Sequence, residues 1–253
     1  MNVQVFLINL DRDVTKYRKS MKILKENGFD SIQRISAVDG KKVNLNKLDL
    51  TWYTKYLLKK PKHRCAHEQL NTLGGIGCYL SHIQCWKKLV NSNYDGAFIF
   101  EDDLEVIKNF THTFNQLVLP SDCDYLGIGY NFAVNENKVS DQFIKCDTFT
   151  GTQGYFITTK GAKKMLKYVY PIESQIDGFI SMMNYFKKIN LYLVHKPFVT
   201  QNNITESSIN YIDCYKCYLP NSSSNTFTPY IFIAMIILVF LIILLLIKIK
   251  WIN

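Results

Sequence analysis

Three features of the first hundred residues predict an α/β layered fold. Gln4 to Leu10 (QVFLINL) is an apolar, β-rich strand, and Ile32 to Val38 (IQRISAV) is a second strand that ends at Asp39-Gly40. Between them, Asp11 is placed to cap a helix from Val14 to Asn27, with Gly28 as its stop. A βαβ opening implies a parallel sheet with helices on its faces. The third feature is Ala97-Phe98-Ile99-Phe100, a buried strand that runs straight into Glu101-Asp102-Asp103.

The other elements follow from composition and periodicity. Residues 41–72 are polar without clear periodicity, which predicts a loop with short helical pieces. Gly74, Gly75 and Gly77 precede a helix that starts near Tyr79 and reaches Val90. Helices are expected over 109–117, 160–168 and 176–186, a strand over 125–130, an extended segment over 150–158 and a last strand over 191–195. No internal repeat or composition shift interrupts this stretch, so residues 1–218 read as one domain.

Residues 219–229 are polar and Ser/Asn-rich, as a linker is. Ile231 to Ile247 is unbroken and apolar, flanked by Tyr230, Lys248, Lys250 and Trp251. Apolar on every side, with aromatics and cations at its edges, residues 230–248 read as a transmembrane helix followed by a short tail, 249–253. The first nine residues lack a basic start and a long apolar run, so the expected topology is a C-terminal anchor with the main domain in the cytosol. Lys248 and Lys250 argue for the opposite orientation.

The chain is 14% aromatic with a net charge of +9, which excludes disorder and suits anionic partners. Its basic residues are scattered, so patterning gives no support to nucleic-acid binding. Seven cysteines, an odd number at irregular spacing, are expected to be free thiols in a reducing compartment. Cys214-x-x-Cys217 with Cys65 and His67 is weak evidence for zinc.

The chemistry centres on Glu101-Asp102-Asp103. Carboxylates packed this closely repel unless a cation neutralises them, and hard divalent cations take oxygen ligands. The end of a buried strand is where open α/β sheets bind ligands, so the triplet points to a metal-assisted site for a phosphate-bearing substrate. A solvated acidic turn is the plainer alternative.

Asn9-Leu10, Arg12 and Arg18 in INLDRDVTKYR, then Ala37-Val38-Asp39-Gly40, Gly74-Gly75-Ile76-Gly77-Cys78-Tyr79-Leu80-Ser81-His82 and Glu101-Asp102-Asp103 stand in a telling order. Gly151-Thr152-Gln153-Gly154-Tyr155, Gly161-Ala162, Ile176-Asp177-Gly178 and Pro197 with Gln201 follow. Over residues 3–205 the chain resembles glycosyltransferase family 25, the family of lipooligosaccharide and collagen-type galactosyltransferases.

The resemblance implies a GT-A-like α/β fold with a mostly parallel, Rossmann-type sheet. It also implies a UDP-hexose donor, a glycan, lipid-linked or protein hydroxyl acceptor, and a divalent cation, typically Mn2+. Asp103 and then Glu101 are the expected metal ligands, with His195 either completing the shell or structural. Asp102 is assigned to the ribose or donor sugar. Asn9, Arg12, Arg18, Asp39, Gln153 and Gly154 are assigned to donor binding, with Arg18 otherwise only lying along the helix surface and Asp39-Gly40 otherwise simply a turn. Ser81 and His82, read as a helix start, either meet phosphate or serve as a cap. Members mostly invert the donor's α-linkage, which requires a general base; Asp177 is the candidate, or else an ordinary N-terminal helix charge. The alternatives are a metal-dependent nucleotidyl or phosphoryl transferase and a catalytically inactive, membrane-bound binding or structural protein.

Overall fold

A computed structural model describes residues 1–60 and 66–201. The expected opening is present: β1 (Val3–Asn9), α1 (Val14–Glu26) and β2 (Gln33–Ser36) form a βαβ unit, and Gly28 ends the helix at φ +89°. Asp11 does not cap α1; its carboxylate is held by Arg34 and Ser36 instead. The polar stretch that follows holds two short 3-10 turns, at Gly40–Lys42 and Leu45–Lys47, and α2 (Trp52–Leu58).

The chain continues through α3 (Leu73–Val90), β3 (Gly96–Glu101), β4 (Leu104–Val106), α4 (Phe110–Asn115) and β5 (Tyr125–Gly129). An excursion of short strands comes next: β6 (Phe132–Val134), β7 (Asn137–Lys138), β8 (Phe143–Lys145) and β9 (Thr148–Thr150). Then follow β10 (Gly154–Thr158), α5 (Thr159–Met165), α6 (Ile176–Tyr185), β11 (Leu191–Val194) and β12 (Val199–Gln201).

Eight strands form the main sheet in the order β2-β1-β3-β10-β5-β11-β8-β7. β1 pairs in parallel with β2 and β3, and β5 with β11, while β10 runs antiparallel to β3 and β5. β8 is the other reversed strand. The sheet is therefore α/β and mostly parallel, as expected, with one antiparallel strand at its centre. That reversal decides the site. The carboxyl ends of β1, β3 and β5 and the start of β10 all meet on one edge.

Residue alternation along β3 splits the core. Phe98 and Phe100 join Phe29, Phe110, Phe114 and Phe156 in an aromatic cluster on one face. On the α3 side, Tyr155 stacks on His82 and Tyr125, and Trp86 and Tyr79 pack on Phe179. Glu101 continues the Ile99 face toward α3, because side chains two apart share a face.

The helix α3 begins at Leu73, six residues before the expected start. Thr72 caps it by accepting the Gly75 amide at 3.0 Å. Its glycines allow contact between two backbones. A Cβ on Gly77 would lie 2.3 Å from the Val38 carbonyl oxygen, and one on Gly40 would lie 1.7 Å from the Leu73 carbonyl oxygen. Ser81 completes this seat: its hydroxyl accepts the Val38 amide at 2.8 Å and donates to the Gly77 carbonyl at 2.7 Å. Two motifs far apart in sequence are thus the two halves of one interface.

Among the described residues no helix is long and apolar enough to cross a membrane. The linker 219–229, the apolar run 230–248 and Cys65, Cys214 and Cys217 lie outside the described residues. Cys78, Cys85, Cys123 and Cys146 are free thiols.

A backbone-on-backbone seat predicts a sharp contrast. Gly77→Ala should destabilise the fold by about 2–3 kcal/mol through overpacking. Gly75→Ala on the same helix, whose Cβ would meet the end of the Leu70 side chain rather than backbone, should cost less, about 1 kcal/mol. Thermal melting of the two variants checks this.

Candidate active site

The three carboxylates that end β3 go to three different places. Glu101 turns toward α3, where its Oε1 accepts the Thr152 hydroxyl at 2.6 Å and faces His82 Nε2 at 3.3 Å. His82 is fully buried, with Nδ1 2.8 Å from the Tyr155 hydroxyl, which accepts the Trp86 indole N–H at 2.9 Å. A carboxylate only accepts, so a proton on Nε2 satisfies the contact with Glu101. Nδ1 then accepts from Tyr155, whose oxygen is already serving Trp86. Burial raises the Glu101 carboxyl, but the hydrogen bonds from His82 and the Thr152 hydroxyl outweigh it, leaving it below its ordinary value.

Asp102 turns the other way, back into the fold. Its Oδ2 accepts from Asn9 Nδ2 at 2.6 Å, and its backbone carbonyl accepts the Ser20 hydroxyl. Burial raises this carboxyl despite the Asn9 bond. Asn9 is itself spoken for, since it also donates to the Asp13 carbonyl and accepts from Arg34 Nε.

Asp103 faces β12, where Gln201 donates to its Oδ2 at 2.6 Å; its Oδ1 is buried without a hydrogen-bond partner among the described residues. Burial first, then the Glu101 charge, push this carboxyl up to about 6. Alternation sends the Asp102 side chain to a different partner, but the three charges still feel one another: Glu101 raises both Asp102 and Asp103, and Asp102 adds to the rise at Asp103.

Across the cleft, Asp177 in the first turn of α6 is nearly buried and well supplied with donors. The Gly151 amide reaches its Oδ2 at 3.0 Å, the Gly178 amide its Oδ1 at 2.8 Å, and His67 Nε2 lies 3.3 Å away. Burial raises the carboxyl, but these partners, His67 first, leave it below its ordinary value. Gln153 spans the floor and donates to Asn131 at 3.0 Å. His67, Cys78, Glu101, Gln153, Asp177 and Gln201 line this one cleft.

The structure thus brings Glu101, Gln153 and Asp177 to one cleft, with Asp103 held beside it by Gln201, and sends other expected residues elsewhere. His195 is exposed beyond β11, where its backbone N–H donates to the Gln142 carbonyl. Two strands, β10 and β5, separate β11 from β3, a distance of roughly 14 Å at the usual strand spacing. His195 does not complete a shell with Glu101 and Asp103. Ser81 and His82 are not a helix start; both are fully buried inside α3. Asn9 is buried as the anchor of Asp102. Gly154 sits in the sheet, where a Cβ would crowd Val199 and Phe100.

Arg12 and Asp39 meet each other at 2.6 Å, and Arg18 is exposed on α1. Despite some burial, the Lys41 amide and Arg12 hold the Asp39 carboxyl below its ordinary value.

Sequence reasoning gave no site role to Cys78, Thr152 and Gln201, nor a structural one to Arg34. The first three stand inside the quoted motifs, so their order was visible but their direction was not. His67, weighed only as a zinc ligand with the cysteines, lies in the stretch without periodicity.

A family model described as Glycosyltransferase family 25 (LPS biosynthesis protein) matches residues 2–131 and 128–180. The chain belongs to glycosyltransferase family 25. It is 29% identical over 209 residues to a glycosyltransferase 25 family member of Aedes aegypti, covering 74% of this chain and 33% of that protein. Procollagen galactosyltransferase 1 of Danio rerio is 25% identical over 206 residues, covering 77% and 33%. The chain spans about a third of the length of these relatives. Among solved structures, a glycosyltransferase involved in glycosylation of the major capsid of PBCV-1 aligns with a TM-score of 0.42 at 10% identity, over 82% of this chain and 95% of that one.

The Asp103 carboxyl gives a pH prediction. Its folded value near 6 lies above the ordinary 3.8, so between those values the folded state keeps a proton that the unfolded chain has lost. Stability from this group therefore falls as pH rises through that window. Melting curves in chelator should show Asp103→Asn gaining on the parent from pH 4 to 6.5; a constant difference would refute the assignment.

Proposed function

We propose that the chain is a membrane-tethered hexosyltransferase with a GT-A-like fold. It moves galactose or glucose from a UDP-sugar to a hydroxyl of a glycan or protein, with inversion. The observation that carries this reading is the strand end at Glu101–Asp103, where Glu101 lines the cleft, Gln201 of the same lining holds Asp103, and Asp103 Oδ1 is buried without a hydrogen-bond partner among the described residues. A hard divalent cation such as Mn2+ fits that donor set. Asp103 and Glu101 would hold it, and its charge would stabilise the departing diphosphate.

The protein's own groups supply the rest. Asn9 fixes the Asp102 turn from which Asp103 projects, and Gln201 orients Asp103 itself. Arg12, paired with Asp39 beyond the end of β1, stands on the nucleotide side in this reading, as the carboxyl ends of parallel strands do in such folds. Asp177 stays ionised in the cleft and takes the proton of the acceptor hydroxyl. The donors that keep it ionised also weaken it as a base, so His67, 3.3 Å away, shares the proton. The apolar run 230–248 tethers this domain to a membrane.

The test is direct. Full-length protein in detergent is incubated with Mn2+ and a panel of UDP- and GDP-sugars, and nucleoside diphosphate release is measured. One UDP-hexose should turn over, and Asp103→Asn should lower kcat by roughly 100-fold or more. Failure to bind any sugar nucleotide would overturn the proposal. For Asp177→Asn, kcat should fall with donor KM unchanged, as expected for a group acting on the acceptor.

A further inference from the structure

On α3, Cys78 and His82 are four residues apart and so share a face, which looks onto the end of β3. Cys78 Sγ, a His82 ring nitrogen and a Glu101 oxygen all lie within 4.8 Å of one another. Their mutual geometry is informative. The 3.3 Å between His82 Nε2 and Glu101 Oε1 is long for a hydrogen bond to a carboxylate, usually about 2.7–2.9 Å. It matches the edge of a tetrahedron built on metal–ligand bonds of about 2.0 Å, which is roughly 3.3 Å.

The set also has the outer support of a metal site. Tyr155, steadied by Trp86, contacts the far nitrogen of His82, and Thr152 donates to Glu101. Partners of this kind fix ligand orientation. Cys78 and Glu101 line the cleft, so a fourth position opens onto it.

We propose that Cys78 Sγ, His82 Nε2 and Glu101 Oε1 form a three-ligand site for a borderline-soft divalent cation of the zinc or cobalt type, open to the cleft. Thiolate and imidazole donors select such ions over manganese. Ligation displaces one proton to solvent, from the Cys78 thiol. The imidazole proton moves from Nε2 to Nδ1 and is donated to the Tyr155 oxygen. Both hydrogen-bonding contacts of Glu101 fall on Oε1, which leaves Oε2 for the hard-cation position shared with Asp103. The two positions differ in ligand chemistry, and the softer one needs no sugar nucleotide to fill.

Cobalt titration tests it. Full-length protein carrying Cys214→Ser and Cys217→Ser, which removes the C-x-x-C pair, is stripped with chelator and titrated with Co2+. The expected spectrum has a thiolate-to-cobalt charge-transfer band in the near ultraviolet and intense tetrahedral bands in the visible, saturating at one equivalent and displaced by Zn2+. Adding Cys78→Ser should abolish the charge-transfer band. Tyr155→Phe should keep the band and weaken affinity by roughly 10–100-fold. Asp103→Asn should leave it unchanged, which separates this site from the hard-cation position. No band, or a band that survives Cys78→Ser, overturns the proposal whatever the transferase assay gives. Loss of the band in Asp103→Asn overturns it as well.

Discussion

Everything at the cleft depends on how closely α3 sits against the turn after β2. Helix and turn meet backbone to backbone at Gly40 and Gly77, a separation that no side chain would permit. The Ser81 hydroxyl bonds both partners, so the contact is satisfied as well as close. The same helix carries Cys78 and His82 one turn apart and presents them to Glu101. A shift of an ångström at the seat would move the His82 ring off both Tyr155 and Glu101. The glycines therefore act on the chemistry at a distance, by setting where a rigid helix lies.

The second constraint is electrostatic. Three consecutive carboxylates would repel one another if they shared a surface, and the fold separates them by strand alternation and by dedicated donors. Asn9 takes Asp102, Gln201 takes Asp103, and His82 with Thr152 takes Glu101. Each donor belongs to a different element, so the acidic tip is stable only when β1, α3, β12 and the start of β10 are all in place. Local folding and assembly of the cleft are one event.

Much of the scaffold was legible because its strands are long, apolar and bounded: β1, β3, β5 and β11 announce themselves, as do α1 and α6. The strands of two or three residues, β4, β6 to β9 and β12, carry too little alternation to be seen, yet β12 supplies Gln201. The start of α3 was misplaced because glycines weaken helix propensity, and only the contact with residues 38–40 explains a helix there. At the site, the acidic tip could be read directly, whereas its three directions depend on partners far away in sequence. His195 shows the limit clearly. A histidine closing a strand is visible in sequence, but the strand's rank in the sheet is not, and β10 and β5 intervene.

The reversed β10 has a further consequence, which concerns variation. Gly129 and Gly154 are cross-strand partners, so the whole excursion 130–153 leaves and returns at one rung of the ladder. Within it β7 and β8 are tied to the sheet through β11, and only the links around them can change length at little cost, because loop-closure entropy changes by only about 0.6 kcal/mol for each doubling. The register of β10 has no such freedom, since a slip of one residue would exchange Tyr155 for Phe156 on the α3 face. Across the family this predicts a variable cassette over a fixed hinge, with Asn131, Gly151 and Thr152 at the ends of the cassette nearest the cleft.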